Sequence, residues 1–194
     1  MGKEIQGYQS AAHDLRGDGL GHSGEIGTIR CASLADLEAV TALEATCFPA
    51  AEAATEESLR QRLQTYPRHF WVLEREGRII AMLGGMVTDE PDLQDEMYED
   101  AALHREDGAW QMIFGVDTHP DFRRQGCAGR LLRHAIAEAR REHRRGLVLT
   151  CKEGLLSFYG SFDFENEGVS GSVHGGAVWY QMRLSLNAET EEHP

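Results

Sequence analysis

Apolar residues recur along this chain with two periods: two positions apart in strand-like stretches and three or four apart in helix-like ones. In "EIGTIRCA", Ile26, Thr28 and Arg30 alternate with Gly27, Ile29 and Cys31, which predicts a first strand opening near Glu25. Ser33 then caps "SLADLEAVTALEATCF", with Asp36 at the third helical position and Leu34, Leu37, Val40, Leu43 and Cys47 along one stripe. "TEESLRQRLQTYP" predicts a second helix, capped by Thr55 and stopped by Pro67. "HFWVLEREGRIIAMLGGMVTD" reads as two strands around a tight turn at Glu76-Gly77, with Trp71 and later Trp110 in core positions.

Farther on, "AWQMIFGVDTH" predicts one buried strand, and Gly115 inside it marks a bulge or a close approach to the backbone. "RLLRHAIAEARREHRR" has the period of a long helix, "GLVLTCKE" of a strand and "GLLSFYGSF" of a short helix, while "FENEGVS" and "AVWYQMRLSL" close the pattern as strands. Residues 1–24 are rich in glycine, serine and charge without periodicity and predict a flexible N-terminal arm; residues 187–194 predict a fraying tail. That leaves one domain over 25–186.

Nine of the residues from Asp89 to Asp107 are acidic, which predicts a solvated loop or short surface helix, with a gate for cationic substrates as its functional alternative. The whole chain of 194 residues carries a net charge of −13, which opposes nonspecific nucleic-acid or anionic-membrane partners and favours cationic ligands. No apolar run approaches the roughly 20 residues of a membrane span, and the start lacks the apolar core of a secretory signal, so the expected address is cytoplasmic. Cys31, Cys47, Cys127 and Cys151 form no CxxC pair and are expected as free thiols rather than metal ligands.

Against that acidity stands "HPDFRRQGCAGRLL", between the strand around Gly115 and the long helix. A strand that turns through small residues into a helix leaves N–H groups unsatisfied at the positive end of the helix dipole, which is an anion site. Gly126, Ala128 and Gly129 admit a ligand to the main chain, and Arg123 and Arg124 can add charge-assisted bonds to phosphate oxygens. The stretch fits neither the Walker pattern nor the dinucleotide G-x-G-x-x-G. It does carry R/Q-x-x-G-x-G/A as Arg123, Gly126 and Ala128, and in this respect the chain resembles the GNAT superfamily of N-acetyltransferases. "VDTHPDFRRQGCAGRLL" and "LVLTCKEGLLSFYGSFDF" hold strand, corner, loop, helix, strand and short helix in that family's order, and the likeness covers about 25–186. Within the superfamily, "ALHREDG", "FRRQGCAG" and "CKEGLLSFYGSFDF" resemble the arylalkylamine (serotonin-type) N-acetyltransferases.

The resemblance implies an α/β GNAT fold: a mixed, mostly antiparallel sheet of about six or seven strands, flanked by helices and splayed between the fourth and fifth. It implies acetyl-CoA as co-substrate with no metal, a small amine acceptor (arylalkylamine or polyamine-like), and a monomer or homodimer. Arg123, Arg124, Gln125, Gly126, Cys127, Ala128 and Gly129 would hold the coenzyme phosphates; Val116, Asp117 and Thr118 would run beside the pantetheine arm; Tyr159 would stand near the thioester sulfur as the catalytic acid. Phe48, Pro49, His104, Met112 and Phe114 are the candidates for the amine side. One departure stands out: where arylalkylamine enzymes carry an H-x-H pair on the central strand, this chain has Met112 and Phe114, which cannot accept a proton. His104, His119, Asp117, Glu153 and His174 are the remaining candidates for a base, and a backbone N–H near Phe114 to Val116 for the oxyanion. Direct attack in a ternary complex is expected, because Cys127 and Cys151 have no evident His/Asn partner. The competing functions are a noncatalytic acyl-CoA sensor and a protein or peptide N-acetyltransferase, the latter requiring an open groove beside the acidic segment.

Overall fold

The computed structural model describes residues 27–186, so the predicted arm at 1–24 and tail at 187–194 lie outside the described residues. Strand β1 (Thr28–Cys31) leads to helices α1 (Leu37–Cys47) and α2 (Glu56–Thr65). The predicted caps form: the Asp36 carboxylate accepts the Ser33 backbone N–H at 2.8 Å, and the Thr55 hydroxyl accepts the Ser58 N–H at 3.1 Å. Strands β2 (Phe70–Arg75) and β3 (Arg78–Gly84) form the predicted hairpin, with Glu76 and Gly77 both at positive φ, as a tight two-residue turn requires.

The rest follows as β4 (Val87–Thr88), α3 (Glu96–Glu99), β5 (Trp110–Ile113), β6 (Gly115–Thr118), α4 (Cys127–Arg141), β7 (Gly146–Cys151), α5 (Leu156–Gly160), β8 (Glu165–Val169) and β9 (Tyr180–Ser185). They make two sheets, ordered β1-β2-β3-β6 and β4-β5-β7-β9-β8. The predicted single strand over 110–118 is therefore two. Its first half pairs in parallel with β7, from Trp110 against Gly146 to Ile113 against Leu149; its second half pairs antiparallel with β3 alone. Phe114 is the joint, its N–H donating to Gly84 O at 2.8 Å. Beyond Ile113, β6 and β7 diverge, and this is the splay the sequence implied.

Period-two alternation in β2 sends Trp71 and Leu73 to one face and Phe70 and Val72 to the other. The first face is covered by α4, whose Leu131, Leu132 and Ala135 are fully buried; each leucine contributes about 1.5–3 kcal/mol. The second face is covered by α1 and α2 through Val40, Leu43, Leu59 and Leu63. Leu34, expected on the α1 stripe, is instead exposed, because the first turn is a tighter 3-10 turn that rotates it outward. The acidic segment is not simply solvated: Leu93 and Met97 are buried with Met86, Met112 and Val148, pinning it to the sheet while most of its acidic residues stay exposed. Among the described residues, no helix is long and apolar enough to cross a membrane.

Candidate functional site

The splay makes a cavity of about 270 Å³, walled by Phe114, Val116 and Thr118 on one side and by Thr150, Phe158 and Tyr159 on the other. Antiparallel register decides which backbone groups face it. His119 N–H donates to Ile80 O, so Asp117, opposite Met82, turns its N–H and C=O toward β3, while Val116 and Thr118 turn theirs toward the cleft. The Thr118 carbonyl is already taken, by Arg123 Nε at 3.2 Å and Cys47 Sγ at 3.4 Å. Val116 thus offers the open edge. The predicted oxyanion donor narrows in the same way, since the Phe114 N–H is committed to Gly84.

At the mouth of the cleft, Gly126 caps α4 with φ 78°, a left-handed conformation that favours glycine, and a Cβ there would meet nothing within 4 Å. The first intrahelical bond runs from Arg130 N–H to Gly126 O, so the N–H groups of Ala128 and Gly129 stand at the head of the helix, ahead of its backbone ladder. The side chains divide. Arg124 and Gln125 are exposed, whereas Arg123 folds back onto the strand. The Cys127 side chain is buried and donates to Phe122 O at 3.6 Å. Gly129 serves packing, because a Cβ would come within 3.1 Å of the Phe162 ring. Cys127 and Gly129 could therefore reach an anion only through their backbone.

A second cavity, about 370 Å³, opens on the other side of the strand joint, between α1, α2, the acidic segment and the β8–β9 loop. Phe48, Phe114, Gly115, Asp117 and Trp179 line both cavities. Glu44, Glu52, Glu57 and Glu99 add carboxylates to the second, and Arg62 lies over the Phe114 ring at 4.9 Å. Tyr98 reaches in from the acidic segment, 4.8 Å from Phe114, and His174 stacks on it at 5.0 Å. The loop is clasped: the Asp95 carboxylate accepts from Ser172 Oγ at 2.5 Å and from the Val173 N–H at 3.0 Å.

Of the sequence-predicted amine-side residues, Phe48 and Phe114 meet in these cavities. Pro49 is exposed and lines neither. Met112 is wholly buried between sheet and acidic segment, so it is core rather than pocket wall. His104 also points elsewhere: its Nδ1 accepts the Val87 N–H at 3.2 Å, so its Nε2 donates to Glu106 Oε2 at 3.1 Å. His69 meets the same carboxylate oxygen at 3.2 Å, and the three residues present ligand-type atoms within 4.8 Å of one another, a grouping the sequence did not announce. Burial pushes both imidazoles below their ordinary value. Of the other candidate bases, His119 contacts Arg78 at the strand end, Glu153 is exposed, and His174 lines the second cavity with Nε2 donating to Glu52 O at 3.1 Å.

Burial holds the Tyr159 phenol far above the ordinary tyrosine value, so it stays protonated. Burial also pushes the Cys47 and Cys151 thiols up to about 12, which opposes a thiolate nucleophile. Glu44, Arg62, Tyr98 and Trp179 escaped the sequence reading. Only Tyr98 left a signal there, as an aromatic inside an acidic run.

Comparison with known proteins returns a match to the model of the Acetyltransferase (GNAT) family over residues 37–164. Serotonin N-acetyltransferase of Mesocricetus auratus is 30% identical over 112 residues, which are 57% of this chain and 53% of that protein. The chain thus spans about half the length of that curated relative. Among solved structures, the GphF GNAT-like decarboxylase, in complex with isobutyryl-CoA, superposes with TM-score 0.72 at 26% identity, covering 82% of this chain and all of that one. The ribosomal-protein-S18-alanine N-acetyltransferase of Escherichia coli gives TM-score 0.63 at 19% identity over 86% of this chain and 98% of its own, a likeness of fold.

Proposed function

The chain belongs to the Acetyltransferase (GNAT) family, and from that membership we propose that it is an acetyl-CoA-dependent N-acetyltransferase acting on a small primary amine. The observation that carries the reading is the meeting of two cavities at residues 114–117, one fit for a thioester arm and one for a cation. On the donor side, the open Val116 edge suits the amides of an extended pantetheine arm, and the positive end of α4 at Ala128 and Gly129, with Arg124, suits a pyrophosphate. The relative solved with isobutyryl-CoA supports an acyl-CoA ligand. On the acceptor side, a lining rich in acidic residues attracts an ammonium, while Phe48, Tyr98, Phe114 and Trp179 supply aromatic walls. That pairing favours an arylalkylamine, in keeping with the serotonin N-acetyltransferase likeness. The clasped β8–β9 loop favours a compact acceptor over an extended peptide.

In this reading the neutral amine attacks the thioester carbonyl carbon, the Val116 N–H stabilises the oxyanion, and the C–S bond then breaks. A phenol held above its usual value is a weaker acid than a thiol, so Tyr159 cannot simply give its proton away. It acts as a relay, passing its proton to sulfur while taking one from the newly acylated nitrogen.

Calorimetry with acetyl-CoA and CoA, followed by thiol release with 2-phenylethylamine, putrescine and a short peptide, tests the proposal. Acetyl-CoA should bind and the small amines should release thiol. Tyr159→Phe should slow turnover by about 10²–10⁴-fold with acetyl-CoA affinity unchanged. Tight binding without release would identify a noncatalytic acyl-CoA sensor. Failure to bind either form would sink the reading.

A further inference from the structure

An ammonium acceptor must lose a proton before it can attack, and the two strand positions that hold histidines in arylalkylamine enzymes are filled here by a sealed Met112 and an aromatic wall, Phe114. Between the two cavities, however, lies an unusual pair of acids. Asp117 is 1% exposed and lines both cavities, and neither of its carboxyl oxygens meets a hydrogen-bond donor among the described residues. Its neighbour within hydrogen-bonding reach is Glu44 of α1, also buried, whose Oε1 is fixed by the Ala54 N–H at 2.8 Å. Two ionised carboxylates in contact inside a protein repel and leave lone pairs facing lone pairs, so the arrangement requires one proton between them. Gly115 lies beside the pair at the strand joint: a Cβ there would stand 3.6 Å from Asp117 Oδ1 and 3.8 Å from the Phe48 ring.

Resting on the acetyltransferase reading, we infer that Glu44 and Asp117 share one proton and together form the general base that deprotonates the acceptor amine. The charged and titratable groups around the pair fit this role. Arg62 of α2 is the nearby cation that offsets the single negative charge; Cys47 of α1 and Tyr159 of α5 stay protonated and do not compete. Burial and Glu44 raise Asp117 well above the ordinary carboxylate range, which makes the pair a stronger base than a solvated carboxylate.

The protons balance. The ammonium gives one proton to the pair, which becomes two neutral carboxylic acids, and the nitrogen lone pair forms the C–N bond. Breaking of the C–S bond leaves a thiolate that receives the second nitrogen proton through Tyr159. The pair then releases its extra proton to solvent, so each turnover yields amide, free thiol and one proton.

The test compares Asp117→Asn and Glu44→Gln with the wild type, using 2-phenylethylamine and an aniline, whose nitrogen is already unprotonated at pH 7. Both amides preserve shape, and acetyl-CoA affinity within twofold of wild type reports an intact fold. With 2-phenylethylamine at pH 7, kcat/KM should fall by about 10²-fold or more in Asp117→Asn and recover as pH rises toward the amine's own pKa. With the aniline the deficit should be under tenfold. Equal deficits for the two amines, or an unchanged pH profile, would overturn the assignment while leaving the acetyltransferase reading intact. Absence of wild-type turnover with every amine would instead remove that reading, and this inference with it. If Asp117→Asn loses acetyl-CoA binding, Glu44→Gln decides by the same criteria. Should both lose it, infrared spectroscopy of the wild type decides: a protonated-carboxyl stretch at pH 7 that disappears on raising pH supports the shared proton, and its absence overturns it.

Discussion

At Gly126 one residue serves two purposes that can be separated by measurement. Its φ of 78° makes any L side chain strained, yet a Cβ would touch nothing within 4 Å, so Gly126→Ala should cost only about 1–2 kcal/mol of stability. The added methyl would enter open space at the head of α4, where the coenzyme phosphates are proposed to bind. Acetyl-CoA affinity should therefore fall by more than tenfold, with a thermal midpoint only a few degrees lower; calorimetry and thermal unfolding check the two separately. The place of Gly126 at the head of α4 was legible in the sequence because a strand-to-helix turn is local, as are the ring contacts of Tyr159 with Phe158 and Phe164. The opposite wall of the Tyr159 cavity, from residues 113–118, is not local. Glu44 was not legible: in sequence it is one more acid on the outer face of an amphipathic helix. Only the fold brings Asp117 against it, from 73 positions away. Met112 misled for a related reason. Strict alternation puts 112 and 114 on one face, and both do pack on the same apolar cluster, but the chain changes sheets at 114, so Phe114 reaches the cavities while Met112 stays sealed.

At the scale of elements, the second cavity, proposed for the acceptor, is bordered by the grip of the acidic segment on the β8–β9 loop. Asp95 holds that loop through Ser172 and Val173, and His174 continues it onto Tyr98 and Glu52. Asp95→Ala removes two charge-assisted bonds far from the thioester cleft. Each is worth about 1.5 kcal/mol, so KM for a small amine should rise by roughly tenfold or more, with acetyl-CoA affinity unchanged. Initial rates against amine concentration, with calorimetry for the coenzyme, test this. The strands, helices and caps around the grip were legible from period and capping residues, because those signals are local. The grip was not, because the sequence showed the acidic run as charge while its anchors, Leu93, Met97 and Tyr98, are few and irregularly spaced.

At the scale of the whole molecule, acid stability should be governed first by buried histidines. His69 and His104 sit below their ordinary value of about 6.5 because burial penalises the imidazolium, so as pH falls the unfolded chain binds these protons before the folded one does. Their contribution is complete above about pH 6.5 and is lost as pH drops from there toward the folded-state values. The thermal midpoint should be flat from about pH 8 to 7 and decline below about 6.5, and His69→Gln should flatten that decline. Asp36 enters much later: Arg30 holds its carboxyl at about 2, so its share is lost only below the ordinary 3.8. The parting of β6 from β7 has a different consequence. A ligand that pairs with the Val116 edge completes a ladder the chain begins and does not finish, which couples binding to folding. Each tenfold excess of such a ligand over its dissociation constant adds about 1.4 kcal/mol to the folded state. If that ligand is the proposed acyl-CoA, the abundance of the folded protein would track the supply of the acyl donor.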